Sequence, residues 1–98
     1  MITKGEIVGA LRQCLDPELN ANIVDIGLIY GITIGEERSV KITLTMTSPM
    51  CPVTSIIMAD VQLRVEALKD VGKVELDLVW DPLWNPEMMS DELKYGRM

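Results

Sequence analysis

Histidine is absent from this chain of 98 residues, and its absence removes several common kinds of active site. Without an imidazole, a single chain forms no Cys-His dyad, no Ser-His-Asp triad and no His-ligated metal site. A reactive cysteine would need activation by a helix dipole, a cation, a metal or a partner. Phenylalanine is absent too, so the core must be aliphatic and rich in methionine.

Cysteine and long apolar runs are scarce. The two cysteines, Cys14 and Cys51, lie far apart and form no Cys-x-x-Cys motif, which excludes a disulfide framework, a thioredoxin motif and a zinc ribbon. No apolar run approaches the about 18 residues that span a membrane, and no basic segment followed by an apolar run marks a signal peptide. Such cysteine usage is typical of a reduced cytosolic protein. We therefore expect a cytoplasmic protein with no membrane partner.

The charge balance is acidic, with a net charge of −6. An acidic surface repels phosphates, so the composition argues against a nucleic acid as partner. The length suits one domain, and 48% hydrophobic residues suffice for a core. We expect a single domain over residues 1–98, with a tail at 80–98 that is rich in tryptophan and proline. By itself such a tail is more typical of a packing clamp than of a ligand site.

Changes of hydrophobic period divide the chain into helices and strands. Thr3 and Glu6 have the spacing of a capping box at the start of the first helix. Asp16 ends this helix, because the residue before a proline is pushed out of the α region. The predicted elements are a helix at 3–15, a strand at 28–34, a hairpin loop at 35–39, a strand at 40–47, a helix at 52–69 and a strand at 73–80.

Each predicted strand has one apolar face, and such a face needs a cover that two amphipathic helices supply. The expected fold class is α+β. It is a two-layer α/β sandwich in the order α-β-β-α-β, with a three-stranded sheet covered on one face by two helices. A parallel strand–helix–strand unit would cross over with right-handed geometry, whereas the strand order stays open. The pattern places Leu28, Tyr30, Ile32 and Ile34 on the apolar face, and Lys41, Thr43, Thr45 and Thr47 on the wet face.

Cys51 is the strongest candidate for chemistry. It lies in residues 47–52 (TSPMCP), between the second strand and the second helix. Proline favours the first helical position, so Pro52 would start the helix and leave Cys51 at its N-cap. The free N–H groups there lower the pKa of a thiol, which makes Cys51 a candidate nucleophile or soft-metal ligand. The alternative is a small buried hydrophobic residue. Cys14, on the apolar face of the first helix, is expected to be a core thiol.

Asp16, Asp25 and Thr47 are expected to lie at the same edge as Cys51. Carboxylates near a metal serve as oxygen ligands or orient other ligands, whereas near a thiolate they raise its pKa. Gly27 permits a positive φ and indicates a shaped loop after Asp25. The alternative for both aspartates is hydrogen bonding in turns and caps. Thr47 would either donate a hydrogen bond to the sulfur or cap the helix.

Four segments carry a family resemblance: residues 16–18 (DPE), 23–30 (IVDIGLIY), 44–52 (LTMTSPMCP) and 80–90 (WDPLWNPEMMS). Together and in this order they resemble the SufT/PaaD-like metal–sulfur cluster biosynthesis family, also described as iron–sulfur cluster assembly domain proteins. The resemblance covers nearly the whole chain. One departure lies in the tail, where relatives often carry paired prolines before the tryptophan and this chain has Pro82, Leu83 and Trp84.

The resemblance implies that residues 1–98 form one compact α/β domain. It would serve as an assembly, carrier or adaptor factor in the maturation of iron–sulfur proteins, and not as an enzyme. The family's signature cysteine falls on Cys51, the implied metal ligand, and its loop aspartates fall on Asp16 and Asp25. With Thr47, these residues make up the implied cofactor-binding set, the cofactor being a transient iron–sulfur cluster or iron. The implied partners are iron–sulfur client or assembly proteins.

The number of available ligands limits how one chain could hold a cluster, because a stable cluster usually takes four thiolate-type ligands. One chain has two cysteines, and Cys14 is expected to be buried. A homodimer would supply two copies of Cys51, completed by carboxylates, a small thiol or thiolates of a client. Two alternatives stay open. One is a protein-interaction subunit, without metal chemistry, in the maturation of an aromatic-acid (phenylacetate-type) oxygenase; the other is a thiol enzyme with Cys51 as nucleophile.

Overall fold

A three-stranded sheet forms the base of the molecule, and the computed structural model describes residues 2–17, 19–47 and 54–90. Two short 3-10 turns, at Glu36–Arg38 and Pro86–Met88, lie outside the main elements. The elements in chain order are α1 (Lys4–Leu11), β1 (Leu15–Asp16), β2 (Ala21–Asn22), α2 (Ile23–Ile26), β3 (Ile29–Ile34), β4 (Val40–Leu44), α3 (Thr54–Glu66) and β5 (Val74–Leu78).

The sheet has the order β3-β4-β5, so β4 is the central strand. β3 and β4 are antiparallel, whereas β4 and β5 are parallel and are joined through α3. α1 packs against α3, and α3 packs against β5. The predicted two-layer α+β fold is therefore confirmed, and the structure adds the strand order. The core between the layers is aliphatic and includes the fully buried Ile7, Leu11, Ile42, Leu44, Val61 and Val65.

The first helix is shorter than predicted. Thr3 caps α1, accepting a hydrogen bond from the backbone N–H of Glu6 at 3.2 Å, as the capping box predicts. The helix ends at Leu11 and not at residue 15, because Leu15–Asp16 pairs with Ala21–Asn22 in a small antiparallel hairpin. Leu15 fits the spacing of apolar residues in a helix, but it is a strand residue and its side chain is 55% exposed.

The predicted face of Tyr30 is wrong because β3 contains a bulge. Ile29 pairs with Leu44 and Ile32 with Ile42, which leaves an extra residue between Ile29 and Ile32. An extra residue shifts the alternation by one, so Tyr30 does not share the core face with Ile32. Its hydroxyl instead donates to the carbonyl oxygen of Pro82 at 2.8 Å.

The wet face of the sheet also ends earlier than predicted. Lys41 is exposed and lies 3.9 Å from Asp77 on this face, but Thr45 is fully buried. The backbone N–H of Thr45 donates to the carbonyl of Leu28 at 2.8 Å, which continues the β3–β4 pairing beyond the end of β4. Residues 80–90, here called the tail segment, are attached to Tyr30 at this end of the sheet.

The second long helix begins, in the described part of the chain, at Thr54, and it ends at Glu66 rather than at residue 69. Its predicted start at Pro52 lies outside the described residues. Within the ranges that the structure describes, no helix is long and apolar enough to cross a membrane.

Candidate functional site at the α2 corner

Residues 22–27, here called the α2 corner, fix the position of Asp25. Asn22 caps α2, and its Oδ1 accepts a hydrogen bond from the backbone N–H of Asp25 at 2.9 Å. The Asn22 amide in turn donates from Nδ2 to Oδ2 of Asp25 at 2.8 Å. These two bonds between the same residues hold the carboxylate against the start of the helix. Gly27 ends the helix with φ of 92°, which confirms the shaped loop predicted after Asp25.

Arg12 forms a long ion pair with this carboxylate. Its Nη1 lies 3.9 Å from Oδ1 of Asp25, with 54% of the Arg12 side chain and 24% of the Asp25 side chain exposed. A pair of this length at the surface contributes little stability, because water screens it. It still places a positive charge beside the oxygen of Asp25 that Asn22 leaves free. Sequence reasoning missed Arg12, since only the turn after α1 brings it to the corner.

The tail segment closes the other side of the corner. α2 has four residues, and Gly27 and Leu28 donate to the carbonyls of its first two residues only, so those of Asp25 and Ile26 need donors from elsewhere. Trp84 donates from Nε1 to the carbonyl oxygen of Ile26 at 2.8 Å, and Ser90 donates its backbone N–H to the carbonyl of Asp25 at 2.7 Å. Trp84 and Trp80 also pack against the core, which confirms the expected packing clamp. The sequence did not predict which part of the chain they would hold.

Gly27 is required for two reasons. Its φ lies in the left-handed region that favours glycine. In addition, a Cβ built at this position would lie 2.3 Å from the carbonyl oxygen of Met88 and 2.9 Å from Met88 Cβ. The corner and the tail segment are thus in direct backbone contact.

The corner lies beside the end of β4. Leu28 follows the corner, and its carbonyl oxygen accepts the bond from Thr45, two residues before the half-buried Thr47. The structure therefore brings the chain around Asp25 and the chain leading to Thr47 to one edge. Cys51 lies outside the described residues, so the predicted site around Cys51 stays a prediction.

Asp16 is held in a turn. Its side chain is buried, and Oδ1 accepts a hydrogen bond from the backbone N–H of Leu19 at 3.2 Å. Its carbonyl oxygen accepts from Asn20 at 2.7 Å, in the loop that joins β1 to β2. These bonds are those expected from the turn-forming alternative for Asp16. Metal binding by Asp16 stays a prediction.

No group of three or more His, Cys, Asp or Glu side chains that could hold a metal occurs within residues 2–17, 19–47 and 54–90. Among those residues, Asp25 is a half-buried carboxylate beside the chain that leads to Thr47.

Cys14 is a core thiol, as predicted. It is 1% exposed, and its Sγ lies 3.8 Å from the carbonyl oxygen of Ala10, to which the thiol donates. The pKa of Cys14 is raised from 9.0 to about 12, first by burial and next by the Asp60 carboxylate, against the opposing effect of the Arg64 cation. A thiol with this pKa is protonated at neutral pH and is a poor metal ligand.

The fold described above is that of a small two-layer α+β domain. Residues 4–76 match the family described as iron-sulfur cluster assembly protein. The chain belongs to this family, which confirms the SufT-like resemblance.

Relatives agree with this assignment. The chain is 43% identical over 90 residues to the Fe-S protein maturation auxiliary factor of Porphyromonas gingivalis, covering 92% of this chain and 86% of the relative. It is 33% identical over 76 residues to the Fe-S protein maturation auxiliary factor SufT of Staphylococcus aureus, covering 78% of this chain and 86% of the relative. The crystal structure of a DUF59 domain from Bacillus anthracis superposes with a TM-score of 0.89 at 35% identity, covering 94% of this chain and 88% of that one.

Proposed function

We propose that this protein is an auxiliary factor in the maturation of iron–sulfur proteins, and that it carries iron or an iron–sulfur cluster transiently on Cys51. The observation that carries the proposal is the family match over residues 4–76, joined by relatives named as Fe-S protein maturation auxiliary factors. The term auxiliary factor favours a carrier or adaptor role over an enzymatic one. The same names favour iron–sulfur maturation over the alternative of an oxygenase-specific subunit without metal chemistry.

The thiol count supports transient holding. Cys14 is buried and its pKa is raised to about 12, so one chain has a single cysteine, Cys51, left for a cluster. A cluster usually takes four thiolate-type ligands, and the remainder must come from elsewhere. A homodimer, a small thiol or the client protein would supply them. Open coordination of this kind lets a client's thiolates replace the carrier's ligands one at a time.

Asp25 is the described carboxylate best placed to assist. Asn22 occupies Oδ2, and Oδ1 faces Arg12 at a distance too long for a strong bond. One oxygen is therefore available as a weak ligand or as an acceptor for a group bound to Cys51. Thr47 would donate a hydrogen bond to the sulfur of Cys51, and Asp16 would support the neighbouring loop. Residues 1–98 would act as one domain in the cytoplasm, with iron–sulfur assembly or client proteins as partners.

The test is anaerobic reconstitution with iron and sulfide, followed by absorption spectroscopy and mass measurement under native conditions. The wild type should bind iron as a dimer or with added thiol, and Cys51→Ser should bind none. Cys14→Ser is the matched control, because it removes the other thiol, and it should bind like the wild type. Equal iron in wild type and Cys51→Ser would refute carriage on Cys51. No iron in any variant would refute direct carriage.

A further inference from the structure

The tail segment makes long-range contacts that the family match does not include. The match ends at residue 76, whereas residues 80–90 contact the α2 corner and Tyr30. These contacts join positions 58 residues apart in the chain, as between Trp84 and Ile26. The segment therefore belongs structurally to the corner that holds Asp25.

The corner depends on donors from outside itself. A helix of one turn is not stable alone, because nucleation costs more than its few hydrogen bonds return. The carbonyls of Asp25 and Ile26 receive their hydrogen bonds from Ser90 and Trp84 of the tail segment. Removing these donors would leave the end of α2 without partners in the part of the chain described here.

Tyr30 holds the tail segment at a second place, through contacts with two of its residues. Tyr30 donates to the carbonyl of Pro82 at 2.8 Å and lies 3.5 Å from Sδ of Met88. The Met88 carbonyl in turn is packed against Gly27. Trp84 is thus held from both sides, and its indole N–H has a defined direction toward Ile26.

We infer that Trp84 is a positioning residue of the site: its indole N–H, through the Ile26 carbonyl, holds the α2 corner and with it the carboxylate of Asp25 beside the chain that leads to Thr47. Asp25 links the corner to the site, because Asn22 forms hydrogen bonds with both its backbone N–H and its carboxylate. The role toward iron rests on the proposed function. The claim that Trp84 holds the α2 corner in place, here called the geometric part, rests on these hydrogen bonds alone and is tested separately.

The decisive variant is Trp84→Phe in the full-length protein. It keeps an aromatic ring against the core and removes the N–H donor. Trp80→Phe is the matched control, because Trp80 is also half-buried and packed against the core, and its side chain makes no hydrogen bond to the corner within the described chain. Both variants lose similar apolar surface, so a general loss of packing should affect them alike.

The first measurement is nuclear magnetic resonance of the metal-free protein. The side-chain amide signals of Asn22 report on Asp25 Oδ2, and the Ser90 amide reports on the second bond to the corner. Trp84→Phe should shift the Asn22 signals and speed hydrogen exchange of the Ser90 amide by about fivefold to tenfold, the effect of one lost hydrogen bond. Trp80→Phe should leave both unchanged. Unchanged signals in Trp84→Phe, or equal changes in both variants, would overturn the inference.

The second measurement is the rate at which reconstituted protein loses iron to an added chelator. Trp84→Phe should lose iron several-fold faster than wild type, and Trp80→Phe should not. Equal rates would overturn the role toward iron even if the corner moves. If the wild type binds no iron, the proposed function fails and so does that role, whereas the signals of Asn22 still decide the geometric part.

Discussion

Replacing Gly27 with alanine should be one of the most damaging single changes outside the core. The perturbation adds one methyl group at a residue with φ of 92° and in direct contact with Met88. No side chain is truncated, so the effect comes from the backbone conformation of residue 27 and from its contact with Met88. It also tests whether the tail segment is held against the corner.

The magnitude follows from two costs. An alanine in the left-handed region costs about 1–2 kcal/mol relative to glycine. The new Cβ would lie 2.3 Å from the Met88 carbonyl oxygen, so the tail segment must move away. That movement weakens the hydrogen bonds from Trp84 and Ser90, each contributing about 1 kcal/mol. We expect a loss of about 2–4 kcal/mol in the free energy of unfolding, or a fall in Tm of at least about 10 °C.

The assay is equilibrium unfolding in urea, with Gly9→Ala as the control. Gly9 lies exposed within α1, and a Cβ there would have no atom within 4 Å. Alanine at Gly9 should stabilise the protein by about 0.5–1 kcal/mol, since glycine is a poor helix former. The two glycine-to-alanine changes should therefore have opposite signs.

A double-mutant cycle separates the two costs. Combined with Trp84→Ala, which frees the tail segment, Gly27→Ala should cost less than it does alone, because only the backbone strain remains. A cost for Gly27→Ala within about 0.5 kcal/mol of zero would refute the reasoning entirely. An additive cycle would refute the contact with the tail segment and leave the strain.

The remaining predictions concern buried polar groups. The raised pKa of Cys14 means that unfolding releases a proton between about pH 9 and 12, so the free energy of unfolding should fall as pH rises through that range, by up to about 1.4 kcal/mol per unit. Urea unfolding from pH 8 to 10.5 should show a flatter decline for Cys14→Ala, and parallel declines would contradict the burial of this thiol. Thr45→Val should raise stability by about 1 kcal/mol, because the buried Thr45 Oγ1 has no hydrogen-bond partner in the described chain. Thr43→Val, at a half-buried position, should change stability by less than about 0.5 kcal/mol, and a clear loss at Thr45 would show that its hydroxyl is bonded.

Local patterns predicted the framework well. Thr3 caps its helix as the capping box indicates, and Val40, Ile42 and Leu44 are buried as their alternation indicates. Each of these two patterns depends on a few neighbouring residues, so it can be recognised without knowledge of the fold. The cap needs one side chain near one backbone N–H, and the alternation needs only a sheet with one covered face.

The features that the sequence did not predict depend on pairing between separate segments of the chain. The hairpin of β1 and β2 has two-residue strands, too short for any period. The bulge before Ile32 shifts Tyr30 to the other face. Gly31 beside it could have indicated the bulge, since glycine within a strand often marks one. Trp84 and Ile26 meet only because the tail segment crosses the sheet, which no local pattern encodes.

The parallel pairing of β4 with β5 has a consequence for the order in which the chain folds. Val40 pairs with Val74, so closing the sheet requires contacts across the whole α3 crossover, whereas the β3–β4 hairpin needs only a short loop. Contacts of long sequence separation form slowly, and during synthesis the N-terminal part emerges first. The α2 corner is synthesised early, yet one of its hydrogen-bond donors, Trp84, lies 58 residues further along the chain, and Ser90 follows later still. A nascent chain therefore completes the α2 corner only after the α3 crossover, β5 and the tail segment have been synthesised.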